Sequence, residues 1–190
     1  MSRVVLFVFF FIGLTFTACL KDNIPVIPPA PTTNIDTSKA YIVANEFVAT
    51  GSSVINEFGL ATDWIELYNP SKYPLDFDKD TIYVTDRPMS DTIASNDKFR
   101  LRGFVMQPKS YLLIFCDDSA VVKTQIHTSF GLSKSGEFVG VYKKNSNGTY
   151  TTYTAHSFNL QTAGKSEGQI PDNSGSWDFL TPTPNASNRK

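Results

Sequence analysis

Apolar and polar residues alternate in short runs from Tyr41 onwards, and turn-forming residues separate the runs. Valine, isoleucine, tyrosine, phenylalanine and threonine dominate these runs, which is the composition of β-strands. Seven such runs are YIVANEFVAT, DWIELYN, DTIYVTD, KFRLRGFVM, YLLIFCDD, EFVGVYKK and TYTTYTAHSF. No long window carries the 3.6-residue apolar period of a helix. The pattern therefore predicts an all-β domain over residues 40–190, either a sandwich or a barrel.

Individual runs also predict how strands pack and where the chain turns. In DWIELYN, Ile65 and Leu67 share one strand face, whereas Trp64, Glu66 and Tyr68 share the other, so that one face can enter a core. The stretch NSNG is typical of a hairpin turn. Near the C-terminus, the prolines of LTPTPNASN predict a final edge strand or a closing strap.

The N-terminal stretch MSRVVLFVFFFIGLTFTACLKDN follows a different pattern. Its apolar run, Val4–Ala18, has 15 residues, and a membrane-spanning helix needs roughly 20. With Arg3 before it, the run is typical of a signal peptide over residues 1–18. LTFTAC resembles the bacterial lipobox, whose cysteine receives a diacylglycerol, although Phe16 stands where an aliphatic residue is usual. Cys19 is therefore the predicted lipidation site, with simple secretion as the alternative.

Residues 19–39 are interpreted as the lipidated cysteine and a proline-rich linker. Four prolines fall in this linker, namely Pro25, Pro28, Pro29 and Pro31. Proline-rich chain is extended, at about 3.1 Å per residue, and acts as a semi-rigid spacer. With Cys19 acylated, Cys116 has no cysteine partner. The sequence therefore predicts no core disulfide and no cysteine-based zinc site.

The charge balance limits the kinds of partner. The chain has 17 basic and 18 acidic residues, and the part from Cys19 onwards carries a net charge of −2. Nucleic-acid binding normally needs a basic patch or stripe, and anionic lipid attracts a basic cluster. The sequence has neither feature, so we expect no nucleic-acid partner and a membrane contact through the lipid anchor alone.

Several ordered motifs resemble a known family. They are VANEFV, DWIELYNPSKYPLDF, YVTD, QPKSYLLIFCDD, IHTSFGLSKSGEFVGVY and GQIPDNSGSWDFLTPTPNASN. Together they resemble the bacterial lamin-tail domain and cover about Tyr41 to Asn188. The resemblance implies an immunoglobulin-like β-sandwich and a non-catalytic module on a secreted or surface protein, where such domains often accompany hydrolases.

Motifs for catalysis are missing from the sequence. There is no G-x-S-x-G elbow, no H-E-x-x-H and no P-loop. The two histidines, His127 and His156, lie far apart and lack the spacing of metal ligands. We therefore expect a protein that is not an enzyme and has no cofactor.

Three acidic residues in the strand motifs form a candidate cluster. Glu46, Asp63 and Glu66 would converge if their strands paired. Calcium is one candidate ligand, although it requires six to eight oxygen ligands and the sequence has no EF-hand loop. The alternative is structural, with the acids hydrogen-bonded to the backbone or paired with basic residues.

Four aromatic residues form a candidate binding surface. Trp64, Tyr68, Tyr73 and Trp177 would give a stacking platform for a glycan if they were exposed together. The alternative is that Trp64 and Trp177 cover the open ends of the sandwich.

The leading hypothesis is a lipid-anchored module that binds a protein or an extracellular polymer through loops and exposed strand edges. The alternatives are an accessory module of a secreted hydrolase system and a glycan-binding surface lipoprotein. The predicted location is the outer membrane of a Gram-negative, Bacteroidetes-like bacterium, on its surface or periplasmic side.

Replacing Cys19 with alanine removes the thiol that would carry the lipid. We expect the Cys19→Ala protein to leave the membrane fraction and appear in the soluble fraction, because a short apolar run does not hold a protein in a bilayer. Cell fractionation followed by immunoblotting measures this, with Cys116→Ala as the matched control. A Cys19→Ala protein that stays in the membrane fraction would show that the anchor prediction is wrong.

Overall fold

A computed structural model of the protein describes residues 38–90, 94 and 97–190. Within these ranges the chain is all-β, as predicted, with no α-helix and no helix long and apolar enough to cross a membrane. The strands are β1 Val43–Val48, β2 Asp63–Tyr68, β3 Leu75–Asp76, β4 Ile82–Thr85, β5 Lys98–Arg100, β6 Val105–Met106, β7 Tyr111–Cys116, β8 Ile126–His127, β9 Glu137–Lys144, β10 Tyr150–Phe158, β11 Ser166–Gln169 and β12 Trp177–Leu180. The predicted signal peptide, Cys19 and the linker up to residue 37 lie outside the described residues.

Each of the seven predicted runs contains a strand. The sequence pattern does not indicate β8 or β11, because β8 has only two residues and β11 is SEGQ, with no apolar residue. Pairing on both sides makes β11 a strand, since it lies between β1 and β12. The predicted NSNG turn joins β9 to β10, and Gly148 adopts the positive φ of 87° that this turn requires.

The strands form three sheets. One has six strands in the order β12-β11-β1-β2-β7-β8, the second has four in the order β10-β9-β4-β5, and a small third sheet pairs β3 with β6. All pairs are antiparallel except β7 and β8. Because β1, β2 and β7 lie side by side, their residues form the broad centre of the six-stranded sheet.

The two larger sheets share one hydrophobic core. The six-stranded sheet contributes Phe47, Ile65 and Leu67, and the four-stranded sheet contributes Val84 and Val141. All five are fully buried. Fully burying one such side chain stabilises the fold by roughly 1.5–3 kcal/mol. The architecture is therefore sandwich-like, with a core held by apolar packing and with Cys116 buried in it as a free thiol.

The centre of the other face of the six-stranded sheet is also buried, which the strand pattern of β2 does not predict. Trp64 and Glu66 lie on this outer face, and both are fully buried. Two segments cover it. The loop of residues 51–61 supplies Val54, which packs against a second apolar cluster of Val48, Trp64 and Phe115. The C-terminal strap, residues 181–188, forms no strand and covers the part of the face that carries acidic residues.

The edge strand β10 also ties the two sheets together. The Ala44 N–H on β1 donates to Thr154 Oγ1 on β10 at 2.9 Å. Thr154 lies next to an irregularity in the pairing of β10 with β9. His156 Nε2 lies 2.6 Å from Glu167 Oε1 on β11. Trp177 stacks on the same His156 ring, with a centroid distance of 4.1 Å and an interplanar angle of 8°. Through His156, β10 therefore contacts both β11 and β12.

Candidate functional site

Two of the three predicted acids face each other on the outer face of the six-stranded sheet. Glu46 on β1 and Glu66 on β2 are register partners, next to a β-bulge between Ala44 and Glu46. Both residues have no exposed surface. Two carboxyl groups side by side in a buried place require hydrogen-bond donors or a proton.

The C-terminal strap supplies those donors. Thr183 donates its main-chain N–H to Glu46 Oε1 at 3.0 Å and its hydroxyl to Glu46 Oε2 at 2.9 Å. The Asn185 N–H donates to Glu66 Oε2 at 2.5 Å. Because the donors are largely main-chain groups of an irregular segment, the strap positions them by its path and not by a repeating pattern.

Asn188 fastens the end of the strap to the sheet. Its side-chain amide donates to the carbonyl oxygens of Asn45 at 2.8 Å and Gln169 at 3.0 Å. Its main-chain N–H donates to Asp172 Oδ1 at 2.9 Å. Asn188 is itself buried. The strap is therefore a part of the fold that is hydrogen-bonded at both ends.

Asp172 is a third carboxylate of this network, and sequence reasoning missed it. The Tyr111 hydroxyl donates to Asp172 Oδ2 at 2.6 Å, and the Asn45 amide donates to Oδ1 at 3.0 Å. Asp172 lies in the turn between β11 and β12, far from Glu46 along the chain. The aspartate of GQIPDNSG gave no separate sign of this role, because its partners come from β1 and β7.

The three carboxyl groups have different proton affinities. Burial raises the pKa of Glu66 to about 8, and the charges of Glu46 and Asp172 also raise it. Burial likewise raises the pKa of Glu46, against hydrogen bonds from Thr183. Burial also acts on Asp172, but hydrogen bonds from Asn45 and Tyr111 outweigh it and lower its pKa. At neutral pH, Glu66 therefore holds a proton while Asp172 is charged.

The third predicted acid, Asp63, is not part of this network. It begins β2, and by strand alternation it lies on the opposite face from Glu66. Burial raises the pKa of Asp63 to about 6, with a contribution from the charge of Glu137. Among residues 38–90, 94 and 97–190, no group of three or more His, Cys, Asp or Glu side chains is arranged to hold a metal ion.

The four predicted aromatic residues lie in different places. Trp64 is fully buried in the cluster with Val48 and Phe115. Tyr68 stacks on Tyr111, with centroids 4.7 Å apart. Trp177 is packed on His156, and Tyr73 is 47% exposed. These residues form no common platform for a sugar ring.

The loop of residues 51–61 carries the exposed apolar side chains that sequence reasoning missed. Ile55 is 56% exposed, Phe58 42% and Leu60 56%. The sign in the sequence was SSVINEFGLAT, where apolar residues stand in a stretch that is otherwise typical of a loop. Isolated exposed hydrophobic residues are ordinary, whereas several on one loop indicate a contact surface.

Hydrogen bonds and ring contacts fasten this loop to the segment that leads into β8. The Glu57 N–H donates to Gln125 Oε1 at 2.6 Å, and the Glu57 carboxylate accepts a hydrogen bond from the Thr124 hydroxyl. The Phe58 ring lies 4.8 Å from the ring of His127, and the Lys123 ammonium lies 5.1 Å from the Phe58 centroid. The loop is therefore fastened at Glu57 and Phe58, while the side chains of Ile55 and Leu60 stay more than half exposed.

His127 lies beneath this loop and has the surroundings of a structural histidine. It is fully buried. Its Nδ1 is 2.7 Å from Asp117 Oδ2, and its Nε2 is 3.4 Å from Glu57 Oε1. The nearby Ser119 hydroxyl donates to Asp117 and not to His127. Asp117 and His127 could form the acid and the base of a catalytic triad. The second nitrogen of His127, however, faces the Glu57 carboxylate, where a triad has its nucleophile.

No family model matches the chain, and a search of curated proteins finds no match. The function is therefore inferred from the geometry of the buried carboxyl network and of the 51–61 loop.

Replacing Glu66 with glutamine tests the raised proton affinity. A carboxyl group whose pKa rises from 4.5 to about 8 on folding contributes stability at acidic pH that is lost as the pH rises through this interval. The amide of Glu66→Gln does not ionise and still offers an oxygen to the Asn185 N–H. We expect the melting temperature of Glu66→Gln to fall less than that of the wild type between about pH 5 and about pH 8.

The control for this measurement is Asp118→Asn, which removes an exposed carboxylate. This variant should keep the pH dependence of the wild type. Equal pH dependence in the Glu66→Gln variant and the wild type would show that Glu66 is ionised in the folded protein.

Gly168 tests the docking of the strap. A Cβ atom at this position would lie 2.6 Å from Asn188 Nδ2, 2.9 Å from Leu180 Cδ1 and 3.1 Å from the Asn45 oxygen. We expect Gly168→Ala to displace the strap, to lower the free energy of unfolding by roughly 1–3 kcal/mol and to speed proteolysis within residues 181–188. Urea unfolding and mass mapping of the proteolytic fragments measure both effects.

The matched control is Gly131→Ala, because a Cβ there meets only ordinary contacts of 3.6 Å and 3.8 Å. It should leave cleavage of the strap unchanged. Wild-type protease resistance of residues 181–188 in Gly168→Ala would contradict the docking argument.

Proposed function

We propose that the protein is a lipid-anchored, non-catalytic module that binds a partner protein through the loop of residues 51–61. The immunoglobulin-like lamin-tail type, the anchor at Cys19 and the outer-membrane location belong to this proposal. The observation that carries it is the group of exposed side chains Ile55, Phe58 and Leu60 on a loop that is fixed in place.

The position of the loop relative to the anchored end supports this function. The N-terminal segment enters the domain at Val43, which is the register partner of Tyr68. The loop leaves β1 at the other end, after Val48, which pairs with Trp64. The six residues of β1 separate the two ends by roughly 17 Å. A domain tethered through its N-terminus thus has its apolar loop at the end away from the tether.

The contacts that fasten the loop favour a role in binding, because they lower the entropic cost of association. Ordering a flexible loop on binding costs roughly 0.5–1.5 kcal/mol for each immobilised side chain. Here the Glu57 hydrogen bonds, the Phe58 contact with His127 and the packing of Val54 on the second apolar cluster order the loop in advance. The exposed Ile55 and Leu60 can therefore contact a partner without a further ordering step.

The polar clusters support a non-catalytic role. The Glu46 and Glu66 carboxyl groups are buried under the strap, where no substrate reaches them. His127 is held by Asp117 beneath the loop, and its second nitrogen faces Glu57. In both clusters the ionisable groups hold chain segments to the sheet.

The test is an Ile55→Ser/Leu60→Ser double variant of the full-length protein. Loss of two apolar contacts should lower recovery of the partner about tenfold or more after cross-linking and affinity purification from intact cells. Val105→Ser is the control, since Val105 is also exposed, at 51%, but lies on β6. Unchanged recovery of the same partners in the double variant, with an unchanged melting temperature, would contradict the proposal. Recovery of a secreted hydrolase as the partner would identify the accessory-module alternative.

A further inference from the structure

The outer strand of the six-stranded sheet has a free main-chain edge. Among the described residues, β12 pairs only with β11. The Ile170 N–H donates to the Ser176 oxygen, so these two residues form a hydrogen-bonded pair. By the register of β11 and β12, the even-numbered pair Gly168–Asp178 is then hydrogen-bonded as well. The Phe179 N–H instead donates to Asp178 Oδ1 at 2.8 Å. Main-chain N–H and C=O groups of successive residues point to opposite sides of a strand. Those of Trp177 and Phe179 therefore point away from β11.

A cavity of about 480 Å³ lies beside this edge. It is lined by Thr162, Lys165, Phe179, Leu180, Thr181 and Lys190. Phe179 is 47% exposed, so the cavity has an apolar wall next to the free main-chain groups. An apolar side chain from an added strand would fit against this wall.

The charge at the cavity is positive. The Lys165 ammonium lies 3.3 Å from the Thr181 hydroxyl, and no carboxylate of the described residues lies within ion-pair distance of it. Lys190 pairs with Asp178 at 2.5 Å. A carboxylate from a partner would therefore meet Lys165 directly, and it would meet Lys190 once Asp178 moved.

Asp178 has the position of a gatekeeper. Its carboxylate occupies the Phe179 N–H, which is one of the donors that an incoming strand would use, and it also engages Lys190. Charged residues that block a free strand edge are a common protection against unwanted pairing. The protection here is a single side chain that a competing main-chain carbonyl can replace.

We propose that the β12 edge is a docking site for an extended protein segment, which adds to the sheet as a further strand and carries an apolar and an acidic side chain two positions apart, so that both point into the cavity. Main-chain hydrogen bonds to Trp177 and Phe179 give affinity in this mode, and the cavity with Lys165 selects the side chains. The site is separate from the 51–61 loop, which is fastened to Thr124 and Gln125 beside β8, at the other edge of the same sheet.

The test uses the full-length protein in detergent and two synthetic peptides of eight residues that are otherwise threonine. One, the valine–glutamate peptide, has valine at position 4 and glutamate at position 6, and the other, the valine–lysine peptide, has lysine in place of the glutamate. Binding is measured by fluorescence anisotropy, and hydrogen exchange locates it. We expect the valine–glutamate peptide to bind more tightly and to protect the amides of residues 177–179. Equal binding of both peptides, no binding of either, or protection elsewhere would overturn the proposal.

Three variants separate strand addition from a general charge effect. Lys165→Glu should reverse the preference in favour of the valine–lysine peptide. Phe179→Pro should abolish binding, because it removes an outward N–H that β11 does not use. Asp178→Ala should tighten binding of the valine–glutamate peptide about 2- to 10-fold, since it frees the Phe179 N–H and Lys190.

The Asp178→Ala variant keeps the test decisive if Phe179→Pro fails to fold, because a gain of affinity does not arise from unfolding. Weaker or unchanged binding by Asp178→Ala would contradict the gatekeeper role and the docking site with it. The Ile55→Ser/Leu60→Ser variant should bind the peptide as the wild type does, so failure of the loop proposal and failure of this one are distinguishable.

Discussion

The hydrogen bonds between the C-terminal strap and two buried glutamates close the outer face of the six-stranded sheet. Glu46 and Glu66 lie side by side on the outer face of the six-stranded sheet, where Thr183 and Asn185 donate to them. Of the four carboxyl oxygens, Glu66 Oε1 alone has no hydrogen-bond partner among the described residues. A sheet of a sandwich usually has one face in water. Here the centre of that face is buried, and the strap takes the place of water as hydrogen-bond donor. Residues 181–188 are thus a structural part of the domain, although they form no strand.

This constraint also explains the protonation of the site. Two carboxyl groups in register would repel each other if both were charged, and burial adds to the penalty. A proton on Glu66 relieves the repulsion, while Asp172 keeps its charge because Tyr111 and Asn45 donate to it. The network resembles a catalytic carboxyl pair in its chemistry, but its donors come from the strap that closes it. The same groups that would make it reactive make it inaccessible.

Polar and apolar side chains exchange their usual places in parts of this domain. Polar groups are used inside to hold the strap and the 51–61 loop, and apolar side chains are left outside on that loop. Both histidines follow this division of roles: His127 supports the loop, and His156 joins β10 to Glu167 and Trp177. The two proposed contact surfaces lie at opposite edges of one sheet, so the domain can present both at once.

The sequence alone determined the class of the fold, because alternation with period two is a local property of each strand. It also determined the hairpin at NSNG and an unpaired Cys116 in an apolar strand. It did not determine which acids would meet. Glu46 and Glu66 come together through the β1–β2 register, while Asp63 turns to the other face.

The remaining features were decided by contacts between distant parts of the chain. Asp172 joins the site through Tyr111 and Asn45, and SEGQ becomes a strand only because β1 and β12 flank it. The four aromatic residues are separated because each packs against a different element. Strand order and register are fixed by long-range pairing and burial, and a local pattern of residues does not encode them. For this reason the sequence indicated the strands, and only the tertiary structure decided what their side chains do.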